Sequence, residues 1–153
     1  MIKVHATCVE WGGGAVLLRG PPGSGKSDLG LRLIDGGGRL VADDQVQLDV
    51  KEGTLVAGAP PPIAGKIEVR GLGLIDLPEE RVRGTANVVL VAELVGGEVE
   101  RLPEPAHCTL AGIDLPVLRL CPFEASAAAK VRVALEVCLR RAQSPGSKGD
   151  GSK

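Results

Sequence analysis

The chain has 153 residues, a length suited to one compact core. Hydrophobic residues make up 44% of it and aromatics only 1%, so the interior is expected to be aliphatic, as in an α/β sheet buried on both faces. A net charge of -1 provides no basic footprint of the kind that nucleic acid or an anionic lipid surface needs, and neither is expected as a partner.

The four cysteines, Cys8, Cys108, Cys121 and Cys138, form no CxxC pair, which argues against a zinc knuckle or a disulfide framework and for reduced thiols. Apolar stretches such as Asn87 to Leu94 run to about eight residues, where a membrane span needs about 20. Near the N-terminus a strand leads almost at once into a glycine-rich segment at Gly20, leaving no room for a cleaved signal peptide. A cytoplasmic location is expected.

In chain order, Lys3 to Trp11 and Ala15 to Arg19 read as strands of a hairpin joined by Gly12, Gly13 and Gly14. Leu29 and Leu33, four apart with Ile34 beside them, predict a helix over Lys26 to Asp35 that stops at Gly36. Arg39 to Ala42 reads as a short strand ending in two acids. Gln45 to Val50 and Thr54 to Ala57 read as a second hairpin, and the prolines of Ala59 to Pro62 make that stretch irregular. Ile67 to Asp76, Val88 to Leu94 and Leu115 to Leu120 read as further strands. Ala125 to Arg141 reads as a second helix with Val131, Leu135 and Cys138 on one face. Residues 1–142 are thus expected to form one domain and residues 143–153 a disordered tail, because Gly, Ser, Lys and Asp offer nothing to bury.

The chemistry concentrates in Gly20, Pro21, Pro22, Gly23, Ser24, Gly25, Lys26 and Ser27, which satisfy G-x-x-x-x-G-K-[ST] between an expected strand and an expected helix. Glycines let backbone N–H groups curl around phosphate oxygens at φ angles that a Cβ resists. The amides and dipole at the helix start favour an anion, Lys26 can reach β- and γ-phosphates, and the Ser27 hydroxyl can ligate Mg²⁺. Small nucleotide kinases and G domains alternate strand and helix after such a loop. Here Arg39 to Leu120 reads as nearly all strand and turn with no NKxD-type guanine reader, which disfavours both classes.

Four segments carry a closer resemblance: Val4-His5-Ala6-Thr7-Cys8-Val9, with His5 fifteen residues before Gly20; the loop itself; Arg39-Leu40-Val41-Ala42-Asp43-Asp44-Gln45-Val46; and Ile67-Glu68-Val69-Arg70-Gly71-Leu72-Gly73-Leu74-Ile75-Asp76. In order and spacing the chain resembles the catalytic domain of the HPr serine kinase/phosphorylase family, bacterial enzymes acting on a serine of the phosphocarrier HPr. The resemblance implies an α/β fold with a compact mixed β-sheet, few helices and a phosphoenolpyruvate carboxykinase-like nucleotide site. It also implies a homo-oligomer, a hexamer in the family, with ATP and Mg²⁺ as cofactors and HPr as the protein partner.

By the same resemblance Asp44 matches the general base that accepts the serine proton. In the reverse direction it would return a proton to the leaving serine oxygen as inorganic phosphate attacks and pyrophosphate forms. Asp43, its neighbour on a strand end, is expected to face the other way and to have a different duty. Glu68 matches a Mg²⁺ position alongside Ser27. Arg70, two residues on and on the same strand face, is expected to pair with Glu68 or with a phosphate. His5 matches a functional histidine that orients an acid, and Arg101 roughly matches a catalytic arginine. His107 lies in no motif.

The chain departs from the family pattern in three places. The N-terminal domain of long members has no counterpart in these 153 residues, and a truncated form is expected. Pro21, Pro22 and Asp28 replace the usual loop residues while Gly25, Lys26 and Ser27 stay intact. Cys121 to Ser126 stands where the family has an arginine-bearing loop used in dephosphorylation, and it has no arginine. Two other readings stay open: a nucleotide-sensing regulatory module that transfers no phosphate, and a kinase for another acceptor.

Overall fold

A computed structural model describes residues 1–142; the expected disordered tail lies outside these residues. The elements are β1 (Ile2–His5), β2 (Thr7–Trp11), β3 (Gly14–Arg19), α1 (Lys26–Asp35), β4 (Arg39–Ala42), β5 (Gln45–Lys51), β6 (Thr54–Gly58), β7 (Lys66–Val69), β8 (Gly73–Asp76), β9 (Thr85–Leu94), β10 (Ala106–Leu110), β11 (Ile113–Leu120) and α2 (Ala127–Ala142). Short 3₁₀ turns at Pro61–Ile63 and Glu79–Arg81 complete them.

Nine strands make one mixed sheet whose main path runs β1, β5, β6, β9, β3, β2, β4, with β11 on β9 and β10 at its far side. The expected α/β class with a mixed sheet and few helices is what the structure has. β9 is the spine. It pairs antiparallel with β6 through Thr85 to Asn87, parallel with β3 from Val88 to Glu93, and parallel with β11 from Val91 to Leu94. In β3 the side chains alternate between two cores: Val16 and Leu18 join the cluster beneath the helices, while Ala15 and Leu17 join the one on the opposite face. A strand buried on both sides reads as an uninterrupted apolar run, which is what Ala15-Val16-Leu17-Leu18 is.

Leu29, Leu33 and Ile34 of α1 and Val131 and Leu135 of α2 supply the helical side of the first core. Helix α1 sits unusually close to β2, because Gly30 carries no side chain: a Cβ there would lie 2.9 Å from Thr7 Cγ2. That approach brings the start of α1 over the strand that also carries the N-terminal half of the site. No helix of the described residues is long and apolar enough to cross a membrane.

Several expectations are corrected. Lys3 to Trp11 is not one strand: it breaks at Ala6, whose N–H donates to Asp44 O at 3.3 Å, so β1 pairs with β5 while β2 pairs with β3 and β4. Ile67 to Asp76 is not one strand either but the β7–β8 hairpin, turned at Arg70-Gly71-Leu72 with Gly71 at φ 91° and Gly73 at φ 101°, a region glycine enters freely. The strand expected over Val88 to Leu94 begins three residues earlier, and α2 begins at Ala127. Strand β10, which contains His107, was not anticipated: it lies at the end of the sheet and gains its conformation from pairing with β11.

Two predictions follow from the packing. Leu33→Ala, at a fully buried position, should cost about 2–5 kcal/mol in urea unfolding, whereas Leu72→Ala, at a site 74% exposed, should change stability by less than about 0.5 kcal/mol. Burial also pushes the Cys8 thiol far above its ordinary range. Above about pH 8.5 the unfolded chain therefore releases that proton while the folded one keeps it, and stability should fall by about 1.4 kcal/mol per pH unit. Burial raises Cys138 as well, against the opposing charge of Arg141, so Cys8→Ala should lessen the slope rather than remove it; unchanged slopes between the two proteins would contradict the assignment.

Candidate functional site

The loop from Gly20 to Ser27 leaves β3 at its C-terminal end and enters α1 at Lys26. Gly25 takes the cap position at φ 96° with no side chain capping the helix. Ser24 N–H donates to Pro21 O at 3.0 Å and Leu29 N–H to Gly25 O at 2.9 Å. The amides of Gly25, Lys26, Ser27 and Asp28 donate to nothing among the described residues, so the mouth of the helix is ringed by unspent donors. Gly20 must lack a Cβ, which would come within 2.5 Å of Ser24 Oγ and 3.2 Å of Leu94 Cβ. The Ser24 hydroxyl is itself buried without a partner. Lys26 Nζ folds back onto Gly20 O at 2.8 Å and Pro21 O at 3.1 Å, directly over the cradle.

Beneath the loop lies Asp43, 5% exposed. Its Oδ1 accepts the hydroxyls of Thr7 and Ser27, both at 2.7 Å, and its Oδ2 accepts the Glu68 N–H at 3.0 Å. These donors belong to β2, α1 and β7. Asp43 and Asp44 do not alternate along a strand as expected: β4 ends at Ala42, and Asp44 has φ 72° with Gln45 N–H donating to Asp43 O at 2.9 Å, a three-residue γ-turn. The turn sends one carboxylate inward and leaves the other in solvent. Asp tolerates positive φ better than most residues, and such strain concentrates at functional sites.

The exposed Asp44 lines a groove of about 1010 Å³ that also takes in the loop, His5, Glu68 and Arg70. His5, the last residue of β1, holds Nδ1 3.6 Å from Asp44 Oδ1. Arg70 departs from the expected shared strand face: it lies in the β7–β8 turn and makes no ion pair with Glu68 among the described residues, although both border the groove. Arg101 sits exposed in the irregular segment between β9 and β10 and does not line the groove. No group of three or more His, Cys, Asp or Glu clusters as a metal site among the described residues. The donor set nevertheless suits a hard cation completed by phosphate oxygens and water, with the Ser27 hydroxyl and the Glu68 carboxylate opening on the groove. The unspent amides suit an anion.

Residues 1–142 match the family described as HPr Serine kinase C-terminal domain. The chain belongs to this family. Relatives named HPr kinase/phosphorylase include one from Enterococcus faecalis, 36% identical over 77% of this chain and 41% of its own length, and one from Burkholderia lata, 36% identical over 90% of this chain and 44% of its own. A solved structure titled as the Hpr(Ser) kinase/phosphatase from Coxiella burnetii superposes with a TM-score of 0.76 at 26% identity, covering 94% of this chain and 97% of that one. The chain spans less than half the length of the curated relatives.

Two contributors to this HPr-kinase-family site escaped the sequence reading. Thr7 lies within the Val4 to Val9 segment but was given no role there; its function as a donor to Asp43 depends on a partner 36 residues away. Phe123, in the Cys121 to Ser126 segment, sets its ring 3.2 Å from where a Cβ of Gly25 would be and walls the groove. Arg32 holds this segment down, donating to the carbonyls of Pro122 and of Glu124, the latter at 3.4 Å, while pairing with Asp28 at 3.0 Å. The segment without arginines is therefore tied to the loop from α1.

Thr7→Val keeps the shape and removes one donor to a carboxylate, which should cost about 1.5–3 kcal/mol in denaturant unfolding. Asp43→Ala strands three donors at once and should cost more. Stability equal to the parent in both variants would contradict the junction.

Proposed function

We propose that this chain is a Mg²⁺-dependent protein-serine kinase that transfers the γ-phosphoryl group of ATP to a serine of an HPr-type phosphocarrier. The observation that carries the reading is the opening of the unspent loop amides and the solvent-facing Asp44 carboxylate on one groove. Family membership and the names of the relatives support the acceptor.

In this reading the unspent amides of Gly25, Lys26, Ser27 and Asp28 hold the phosphates, and Lys26 leaves the loop carbonyls for the β- and γ-oxygens. Asp44 accepts the proton of the attacking serine hydroxyl as the new P–O bond forms and the bond to the ADP oxygen breaks. His5 Nδ1, near Asp44 Oδ1, orients that carboxylate. Arg70 offers charge to the equatorial oxygens from the hairpin turn. Ser27 and Glu68 would hold Mg²⁺, which when bound neutralises phosphate charge. Asp43 has another duty: it fixes the Ser27 hydroxyl and the Glu68 backbone at once. Phosphorolysis of the phosphoserine by inorganic phosphate, with Asp44 returning the proton, belongs to the same reading, as do a homo-oligomer, six copies in the family, and a cytoplasmic setting. Arg101 has no part in it as positioned here.

Incubation with MgATP and purified HPr should add one phosphate to HPr by intact mass. Asp44→Asn preserves a residue tolerant of the γ-turn, so it should abolish transfer with ATP affinity unchanged, while Lys26→Ala should weaken ATP binding itself. Normal turnover by Asp44→Asn would remove the base assignment. ATP binding without transfer by the parent would favour a nucleotide-sensing module, and transfer to another protein but not HPr would redirect the acceptor.

A further inference from the structure

Across the fold from the loop is a second hollow, of about 480 Å³, that shares no lining residue with the groove. It forms where the β2–β3 turn, the end of α1, the start of β4 and the start of β9 converge. Its floor is Glu10, 6% exposed, with both oxygens engaged: Oε2 accepts the Gly13 N–H at 3.0 Å and Oε1 accepts Arg39 Nε at 2.9 Å.

The charge arithmetic of this hollow is simple. Two guanidinium groups, Arg39 and Arg83, face one carboxylate, and that carboxylate is already satisfied. Arg83 is held firmly: its N–H donates to Leu40 O at 2.8 Å, Val82 bridges to Leu40, and its Nε donates to Thr85 O at 3.0 Å. Its two terminal nitrogens, and those of Arg39, have no partner among the described residues. Orienting a guanidinium through Nε while leaving the terminal fork open is the arrangement that binds an oxyanion in bidentate fashion. Thr85 and Asn87 add polar side chains to the wall, and no second acid lines it. The volume lies in the range of small-molecule sites.

We propose that this hollow is a binding site for a small oxyanion, a phosphate- or carboxylate-bearing molecule, gripped by Arg83 and Arg39 against a neutralised Glu10. It meets the far ends of the elements that build the loop site. Glu10 lies three residues along β2 from Thr7, roughly 10 Å, and pairs in register with Arg39, whose strand ends one residue before Asp43. Gly37 follows the Gly36 cap of the helix that Lys26 begins. The site also has a built-in reporter: Trp11, the single tryptophan of a chain without tyrosine, abuts Gly12 in sequence and lies 3.9 Å from where a Cβ of Gly37 would stand.

The test is calorimetric titration of the full chain carrying Lys26→Ala, which weakens the competing loop site, with inorganic phosphate and, separately, malonate, while Trp11 emission is followed. One anion should bind per chain with a saturable change in emission. Arg83→Gln, and independently Asn87→Asp, which sets a negative charge in the wall without touching the Glu10 pair, should each weaken binding at least tenfold with unfolding midpoints close to the parent. Tighter binding of phosphate assigns a phosphoryl ligand, and tighter binding of malonate a carboxylate. Absence of binding in the Lys26→Ala chain, or equal affinity in the Arg83→Gln and Asn87→Asp variants, overturns the proposal.

Discussion

The carboxylate of Asp43 is the point on which the site depends. A buried acid is tolerated only when its oxygens are well supplied with donors, and here three separate elements each provide one. Because those donors are the Thr7 hydroxyl of β2, the Ser27 hydroxyl at the mouth of α1 and the Glu68 amide of β7, satisfying one side chain positions the helix start, the hairpin and the strand relative to each other. The γ-turn at Asp44 is the counterpart of that burial. Once Asp43 is drawn inward, the chain must reverse direction at once to enter β5, and the reversal leaves Asp44 exposed beside the loop.

This arrangement rests on a sheet that is buried from both sides. β3 and β9 run parallel at its centre, and their aliphatic side chains fill two cores, so the end of β3 is a rigid platform for the loop. Helix α1 reaches its place only because Gly30 lets it settle onto Thr7. The same contact therefore closes the packing and brings the Thr7 hydroxyl to the acid. Packing and polar satisfaction are here one geometric requirement rather than two.

The ends of β2, α1 and β4 opposite the loop converge on the Glu10–Arg39 pair. An ion pair with one member 6% exposed is costly to leave incomplete, so this corner is as constrained as the Asp43 junction. Two polar foci thus terminate the same three elements, one facing the loop groove and one facing the back. That symmetry of construction gives the back hollow its ordered guanidinium groups.

The sequence by itself determined the phosphate loop, the strand before it and the helix after it, because eight contiguous residues carry that chemistry in their backbone and need no distant partner. It also determined that acids near positions 43, 44 and 68 would gather around the loop, through resemblance of whole segments. Only the tertiary structure decided which acid is buried, since the donors to Asp43 stand 36, 16 and 25 residues away along the chain. It likewise decided that Arg70 belongs to a turn, that Arg101 stays apart from the groove, and that Glu10, Arg39 and Arg83 meet at all. Local pattern specifies backbone conformation, whereas burial and the pairing of side chains are properties of the assembled sheet.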